Sequence, residues 1–463
     1  MKKEEILKKL KEINKKKYSI LKLGLFGSFS KNSDTANSDI DILVKMEFKK
    51  GMYQNFCNLH KRLEEIFQKK VDLVDESMFE YKFKNPKGPK VRKFTTTKKI
   101  PEILRQWKDY EYGVWTQKDK KAPLIILISG TGSVYNSGMS LYLANVFYDR
   151  GYNVIDFSSP TTMPYIISQS KNTYAGYIKD ETVQMYDLIQ KAILKEKSNG
   201  MKIDKTYIGG YSLGGFQSLL IHEMDEKNNR KIGIEKSLLL NSPISILTAT
   251  KKLDGYLIKN GVYDARSLEK YLDTIFSKLI YDKSMQIKDM EFSSLTTTLG
   301  KLGLGEKDFE ILTGLLFRFY SANMTFAGEV FSGNNAVGRL SNKKSYKRFD
   351  SVSNEFREGL SVSFDEYAKE ILYPYLKKFK YPDLDFNKFI DDFDLRSSQD
   401  FINRNNKNIV FITSTNDILL EKEDLDYIKN TFSNRVLIPF GGHTGALWHK
   451  DVANLMVDKL EEK

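Results

Sequence analysis

Hydrophobic and polar positions follow three different patterns along the chain. Residues 1–78 mix helical and strand periods, and residues 79–121 are rich in lysine, threonine and proline with little periodicity. The second stretch therefore predicts a linker that leads into irregular strands. From residue 122 onward, short apolar runs alternate with helical segments to about residue 242, and again after about residue 408. The pattern predicts a small α/β domain over 1–78 and a larger α/β domain over 122–463.

The larger domain carries the more regular alternation. Its apolar runs are APLIILISG, GYNVIDFSS, KTYIGGY, KSLLLNS, NIVFITS and RVLIPFG. Strands that alternate with helices in this way indicate a mostly parallel sheet covered by helices. Between about 243 and 408, apolar residues recur at helical spacing and strand signals are weak. This interval is too long for a loop in a compact domain, so we expect a helical insertion that forms a cap.

The smaller domain begins with a lysine-rich amphipathic segment. Ile6, Leu7, Leu10 and Ile13 recur there at helical spacing, among eight lysines and three glutamates in the first seventeen residues. The spacing predicts a helix with a solvated lysine face. The runs SILKLGLFG, DIDILVKM and KKVDLV predict strands, with a helix near 52–69 between the last two.

Composition narrows the class of protein without naming a reaction. The 463 residues carry a net charge of +13, but the lysines are scattered and lack interleaved aromatic residues, so nucleic-acid binding is not favoured. A single cysteine, Cys57, allows no intrachain disulfide framework and favours a reducing compartment. No apolar run approaches the eighteen residues that a membrane helix needs, and the N-terminus lacks the apolar core of a secretory signal. We therefore expect a cytoplasmic protein without a membrane span; its oligomeric state is left open.

The segment Gly210-Tyr211-Ser212-Leu213-Gly214 fits the G-x-S-x-G pattern of a nucleophile elbow. In such an elbow the serine lies in a strained turn between a strand and a helix, and its neighbours must be small because backbone segments approach closely. KTYIG is a suitable strand before it, and FQSLLIHEM is a suitable helix after it. Ser212 is therefore the candidate nucleophile.

Two later segments supply the partners that a serine nucleophile needs. Asp417 follows the run NIVFITS, and His443 follows RVLIPFG in a glycine-rich loop. The chain order Ser, Asp, His is the order in which α/β-hydrolase triads occur. We predict that His443 accepts the proton of Ser212 and that Asp417 orients the imidazole. Glu421 is the alternative acid and His449 the alternative base, whereas His222 and His60 are expected to be structural.

Acyl transfer also needs hydrogen-bond donors for the developing oxyanion. One predicted donor is the backbone N–H of Leu213, the residue after the nucleophile. The second should come from the glycine-rich loop after APLIILIS, where Gly130, Thr131 and Gly132 are the candidates. The residues alone do not choose among these three.

Residues 122–463 resemble the α/β-hydrolase superfamily. The segments GTGSVYNS, SSPTT, GYSLGG, LLLNSPIS and SANMTFAGEV look like those of a little-studied bacterial group with a helical insertion. The resemblance implies a serine hydrolase fold and triad and does not supply a substrate. We expect an esterase or lipase-like hydrolase that acts on a small-molecule acyl substrate and needs no cofactor. Residues 321–324, within the insertion, could line its pocket or form an ordinary helix.

A second set of residues near the N-terminus indicates a different chemistry. Asp39 and Asp41 alternate on one strand and so project to the same side, and Asp72 belongs to a neighbouring strand. Paired carboxylates suit Mg²⁺, and the Gly27-Ser28 turn can offer backbone N–H groups and a hydroxyl to a triphosphate. A metal-assisted nucleotidyl transfer would use these groups.

Residues of about 18–75 resemble the minimal nucleotidyltransferases of the polymerase-β-like superfamily. Their pattern is a Gly-Ser turn, a spacer of about ten residues and D-x-D, which Gly27-Ser28 and Asp39-Ile40-Asp41 match. The resemblance implies Mg²⁺ and a nucleoside triphosphate as possible ligands.

Three hypotheses on function follow from these residues. The first is a serine hydrolase with an appended nucleotidyltransferase-like domain. The second is a nucleotidyltransferase that modifies a protein or RNA partner, with the hydrolase domain as an accessory. The third is a binding scaffold whose two sites have decayed, which the intact Ser212, Asp417 and His443 argue against.

Overall fold

A computed structural model describes most of the chain. The described residues are 2–30, 34–35, 38–46, 52–75, 83, 87–117, 121–264, 266–271, 273, 306–332, 346–439 and 441–462. Two compact units make up the protein: residues 1–86 with 412–417 and 437–463, and residues 87–411 with 418–436. Among the described residues, no helix is long and apolar enough to cross a membrane. The domain boundaries at 78 and 121 stay predictions.

The N-terminal region forms a three-stranded sheet with helices. Its elements are α1 (Lys3–Lys11), β1 (Ile20–Leu25), α2 (Gly27–Ser30), β2 (Ile40–Met46), α3 (Met52–Phe67) and β3 (Val71–Asp75). The central strand β2 pairs antiparallel with β1 and parallel with β3. Ile40, Ile42 and Val44 are fully buried on one face of β2, which places the alternate positions Asp39 and Asp41 toward the opposite face.

Strands and helices alternate in the next part of the chain, as the apolar runs predict. Its elements are β4 (Lys90–Thr95), β5 (Asp109–Trp115), β6 (Ala122–Ile128), α4 (Gly138–Asp149), β7 (Asn153–Phe157), α5 (Met163–Ser168), α6 (Ile178–Ser198), β8 (Ile203–Tyr211), α7 (Leu213–Lys227) and β9 (Ile234–Leu240). A 3₁₀ turn, Glu102–Trp107, precedes β5. The strands β6 to β9 coincide with the apolar runs of the sequence.

The described residues between β9 and β10 are predominantly helical. They form α8 (Ile246–Lys259), α9 (Glu306–Ser332), α10 (Ser353–Ser361), α11 (Phe364–Glu366), a π-helical turn (Tyr367–Leu372), α12 (Tyr373–Phe379), α13 (Phe386–Asp391) and α14 (Gln399–Arg404). The predicted helical insertion is therefore part of the fold. The remaining elements are β10 (Ile409–Ser414), α15 (Lys422–Thr431), β11 (Arg435–Ile438) and α16 (Lys450–Glu461).

The large sheet has eight strands in the order β11-β10-β9-β8-β6-β7-β5-β4. Strands β7, β6, β8 and β9 run parallel, whereas β5 is antiparallel to both β7 and β4. Its central strands are buried on both faces, and Leu124, Ile126, Ile155 and Ile208 are completely inaccessible. Because loops at the carboxyl ends of parallel strands meet at one edge of a sheet, the turn after β8 is the expected place for a site.

Candidate active sites

Ser212 occupies the sharp turn between β8 and α7. Its backbone has φ +55° and ψ −126°, a conformation that costs a non-glycine residue about 1–3 kcal/mol. Its N–H donates to the carbonyl of Leu240 at 2.8 Å, which ties the turn to the end of β9. The residue is only 5% exposed. A strained serine held in this way is the geometry that the G-x-S-x-G pattern predicts.

The two glycines of the motif allow the backbone to approach closely. A methyl group added at Gly210 would lie 2.6 Å from the carbonyl carbon of Gly214. A methyl group added at Gly214 would lie 2.7 Å from the carbonyl carbon of Ile128. Backbone atoms cannot move aside as a flexible side chain can, so both positions require glycine.

The loop after β6 lies beside the nucleophile. A methyl group added at Gly130 would come within 3.1 Å of the Ser212 Cβ atom. The N–H of Gly132 donates to Thr161 Oγ1 at 2.7 Å, which commits this donor to the loop itself. Thr131 and Leu213 line the same cavity as Ser212. The hydrogen bond of Gly132 leaves Gly130 and Thr131 as the candidates for the partner of Leu213 in the predicted oxyanion site.

His443 and Asp417 form a close pair in the first unit. The imidazole Nδ1 lies 3.0 Å from both carboxylate oxygens of Asp417. The Asp417 side chain is completely inaccessible, and that of His443 is 16% exposed. An N–H at Nδ1 donates to the carboxylate, which leaves Nε2 as the basic nitrogen. The structure thus brings these two predicted residues together.

The loop that carries His443 has an unusual backbone. Gly441, Gly442 and Thr444 all have positive φ, at +141°, +56° and +67°. The N–H of Gly442 donates to Asn416 Oδ1 at 2.9 Å, next to Asp417 in the chain. Glycines permit this path because L side chains rarely adopt positive φ.

The alternative acid and the alternative base both have other tasks. Glu421 begins α15 and forms a reciprocal capping box with Asp424, and it also forms an ion pair with Lys252 at 3.3 Å. His449 caps α16, because its Nδ1 accepts a hydrogen bond from the N–H of Asp451 at 3.1 Å. These contacts favour Asp417 and His443 over them.

The other two histidines have structural contacts, as expected. His222 is 3% exposed, lies 3.2 Å from Ser237 Oγ through Nδ1, and packs edge-on against Phe401. Burial lowers the pKa of His222 to about 4, so its ring is neutral at neutral pH. His60 Nε2 lies 2.8 Å from the carbonyl of Val71.

A mostly apolar cavity opens beside Ser212, within the second unit. Most of its lining comes from the loop after β6, the helix α6, the elbow and the helical insertion. The lining residues are Thr131, Thr161, Gly176, Ile178, Glu181, Ser212, Leu213, Pro243, Ile246, Ala249, Thr250, Leu253, Asp254, Phe317, Arg318, Tyr320, Ser321, Met324, Phe364, Phe393 and Leu419. Ser321 and Met324 belong to the segment that the sequence left open between a pocket wall and an ordinary helix.

Sequence reasoning missed several polar residues of this cavity. Glu181 lies in the first turn of α6, and its acidic neighbourhood resembles a solvated helix face. Arg318 and Asp254 lie on different helices and form a buried ion pair at 2.6 Å. The pattern of apolar residues could have indicated that α8 and α9 are helices that pack against other elements. It could not have indicated that Arg318 pairs with Asp254, because that contact depends on the tertiary fold.

The N-terminal site places two aspartates side by side. Asp41 on β2 is the register partner of Asp72 on the parallel strand β3. Gly27 has φ +66°, and a methyl group there would lie 2.5 Å from the carboxyl carbon of Asp41. The Gly27-Ser28 turn and the carboxylate are thus in direct contact. The geometry brings Gly27, Ser28, Asp41 and Asp72 together, as the sequence pattern suggests.

Burial and like charges act on Asp41. Its pKa is raised, mainly by desolvation and then by the carboxylates of Asp72 and Asp39, while the backbone N–H of Ser28 opposes the shift by donating to it. Asp39 forms an ion pair with Lys70 at 3.4 Å. In the described part of the chain, no three acidic, histidine or cysteine groups are already clustered as a metal site. Carboxylates that repel one another suit a divalent cation, so Asp39, Asp41 and Asp72 stay candidate ligands.

Comparison with known proteins identifies the N-terminal region. A family model for the nucleotidyltransferase domain matches residues 7–103. A Methanocaldococcus jannaschii protein named as a candidate protein adenylyltransferase is 41% identical over 71 residues, which cover 15% of this chain and 71% of that protein. A second protein of that name from the same organism is 43% identical over 74 residues, 15% of this chain and 72% of its own. Through this region, the chain belongs to the nucleotidyltransferase domain family.

The larger region has the α/β-hydrolase fold, with its mostly parallel sheet and a serine elbow after a central strand. Two solved structures are similar to it. An α/β-fold hydrolase from Bacillus anthracis is 16% identical with a TM-score of 0.38, and the match covers 81% of this chain and all of that one. Est1E from Butyrivibrio proteoclasticus is 10% identical with a TM-score of 0.35 and the same coverage.

Proposed function

We propose that the protein is a serine hydrolase acting on an ester or related acyl substrate, with Ser212 as nucleophile. The observation that carries this proposal is the strained elbow serine at the edge of an apolar cavity. An apolar cavity suits the hydrocarbon part of an acyl group. The close Asp417–His443 pair supplies an oriented base of the kind that a serine hydrolase requires.

The proposed reaction has two steps. In the first, His443 Nε2 takes the proton of Ser212 Oγ, which bonds to the acyl carbon, and the leaving alcohol departs with that proton. In the second, His443 takes a proton from water, whose oxygen bonds to the acyl carbon. The bond from the acyl carbon to Ser212 Oγ then breaks, His443 gives its proton to Oγ, and the carboxylic acid departs. The backbone N–H group of Leu213, together with that of Gly130 or Thr131, stabilises the oxyanion in both steps. Asp417 stabilises the imidazolium that forms.

A fluorophosphonate probe tests the nucleophile directly. We expect covalent labelling of the wild-type protein and none of Ser212→Ala, because the probe reacts with an activated serine. Ser198→Ala is the matched control, since Ser198 lies at the end of α6 and its hydroxyl donates to the carbonyl of Lys195 in the same helix. Labelling that persists in Ser212→Ala would refute the assignment.

Nucleotidyl transfer to a protein or RNA partner is the second candidate function. Membership of the nucleotidyltransferase domain family and the pairing of Asp41 with Asp72 favour it. Asp39, Asp41 and Asp72 would hold Mg²⁺, which neutralises phosphate charge when bound. Gly27 and Ser28 would hold the triphosphate, and Asp72 would orient the attacking hydroxyl.

Radiolabelled ATP distinguishes this second function. We expect Mg²⁺-dependent transfer of label to a cellular protein or RNA, abolished when Asp39→Asn and Asp41→Asn are combined. Asp34→Asn is the control, because Asp34 is exposed and lies outside the D-x-D pattern. Absence of transfer to any cellular target would count against this function and would leave the hydrolase proposal unaffected.

A further inference from the structure

The polar groups that line the cavity differ in whether they already have partners. The Thr161 hydroxyl accepts from Gly132 N–H, and Thr250 Oγ1 bonds the carbonyl of Ile246 at 3.0 Å. Ser321 Oγ bonds the carbonyl of Arg318 at 2.8 Å. These hydroxyls serve the local backbone, so they are poor candidates for recognising a substrate.

The buried ion pair in the cavity is also satisfied internally. Arg318 donates from Nε and Nη2 to Asp254 Oδ1 at 2.8 and 2.6 Å. Its Nη1 donates to the carbonyls of Leu360 and Ser361, each at 3.2 Å. The charges of Arg318 and Asp254 neutralise each other, so this pair gives no reason to expect a charged substrate.

Glu181 is a buried acid in the cavity wall. It is 2% exposed, and its Oε1 accepts from the N–H of Gly176 at 2.6 Å. Within the described residues, this is the hydrogen bond that its carboxyl group forms, and the second oxygen has no described partner. A buried carboxyl group with one oxygen held and one available is suited to bind a polar atom of a ligand.

The loop before Glu181 is fixed in place. The Tyr367 hydroxyl donates to the carbonyl of Ala175 at 2.6 Å, and the Tyr174 hydroxyl donates to Glu329 at 2.9 Å. Gly176 has φ +105°, and a methyl group there would lie 3.1 Å from the Met324 sulfur. The donor to Glu181 is therefore held by contacts from α9 and the π-helical turn, which keeps the carboxyl group in one position.

Burial changes the protonation of Glu181. Desolvation is the main cause that raises the pKa of Glu181 to about 8, the N–H of Gly176 opposes it, and Asp180 adds to it. Tyr165 and Tyr367 are the other titratable groups coupled to this carboxyl, and both stay neutral because burial raises their pKa values. Near neutral pH the acid is largely protonated, so its second oxygen carries a hydrogen that can be donated.

We propose that Glu181 is a specificity-determining residue that donates a hydrogen bond to an oxygen atom within the acyl chain of the substrate. The substrate class is then an ester of an oxygenated acyl group, such as an oxo-acyl group, whose hydrocarbon part contacts the apolar wall. This inference rests on the proposed hydrolase function. A plain hydrocarbon chain would leave the buried acid without a partner, which costs free energy.

The test measures kcat/KM for p-nitrophenyl hexanoate and for its 4-oxo and 5-oxo analogues. The readout is the ratio of kcat/KM for each oxo ester to kcat/KM for the plain hexanoate. We expect wild-type protein to favour at least one oxo ester by about tenfold. Glu181→Leu should reduce that ratio to less than about twofold, since leucine cannot donate. Glu181→Gln should keep most of the preference, because its amide can accept from Gly176 and donate to the substrate.

Glu196→Gln is the matched control, as Glu196 is a buried acid on the same helix that pairs with Arg92 away from the cavity. Its ratio should equal that of the wild type. A wild-type ratio near one, or a preference that survives Glu181→Leu, would overturn the proposal. If Glu181→Leu does not fold, Glu181→Asp must lower the ratio instead. Failure of the hydrolase function itself looks different: no ester is cleaved and Ser212 is not labelled.

Discussion

At the scale of single residues, contacts separate two acids that the sequence places only four positions apart. Asp417 is buried against His443, whereas Glu421 caps a helix and pairs with Lys252. We predict that Asp417→Asn lowers kcat/KM on an activated ester by about 10³–10⁴-fold, since the imidazole loses the group that fixes its tautomer. Glu421→Gln should stay within about twofold of the wild type. Equal losses in the two variants would contradict the assignment.

Gly27 is the corresponding test in the N-terminal site. A side chain there must adopt a positive φ and would meet the Asp41 carboxylate. We predict that Gly27→Ala lowers the free energy of unfolding by about 1–3 kcal/mol and weakens nucleotide transfer. Urea unfolding and the labelled-ATP assay measure the two effects.

Gly24→Ala is the control for that change, because no atom of the described residues lies within 4 Å of a methyl group added at Gly24 on β1, and its φ is not positive. It should leave both measurements nearly unchanged. A tolerated Gly27→Ala would show that the contact between the turn and Asp41 is unimportant.

At the scale of elements, the strand-to-helix turn depends on close backbone contact. We predict that Gly214→Ala abolishes probe labelling of Ser212 and destabilises the fold by about 2 kcal/mol or more, because the added methyl meets the carbonyl of Ile128. Gly255→Ala is the helical control, because in the described part of the chain nothing lies within 4 Å of a methyl group added there on α8. It should stabilise slightly, by up to about 1 kcal/mol. The intensity of probe labelling measures the reactivity of Ser212, and thermal unfolding measures the stability. Normal labelling of Gly214→Ala would refute the role of the turn.

The apolar spacing of the sequence predicted the helices α1 and α3, although it did not predict all their details. On α1, Ile6 and Leu10 of the predicted apolar face are buried, but Leu7 is 37% exposed. The helix predicted near 52–69 ends at Phe67, where Gln68 adopts a φ of +51°. A left-handed residue stops a helix, and a glutamine gives no sign in the sequence that it will adopt that conformation.

At the scale of the whole molecule, buried titratable groups make stability depend on pH. His222 has a folded pKa of about 4 and an ordinary value of 6.5. The unfolded chain therefore binds more protons between these values, so stability rises with pH through this window and is lost as the solution is acidified. We predict a loss of about 3 kcal/mol between pH 7 and pH 4. His222→Gln should flatten this part of the profile in calorimetry, and an unchanged slope would argue that His222 does not cause it.

The sequence by itself determined the fold class, the strands β6 to β11 of the large sheet and the residues with candidate chemistry. It could do so because apolar periodicity, the G-x-S-x-G spacing and the D-x-D spacing are local properties of the chain. The sequence already favoured Asp417 over Glu421, whereas the contact of Asp417 with His443, the commitment of Gly132 to Thr161 and the burial of Glu181 were decided only by tertiary structure. Each depends on contacts between segments far apart in the chain, where burial and hydrogen bonding, rather than residue type, give a side chain its role.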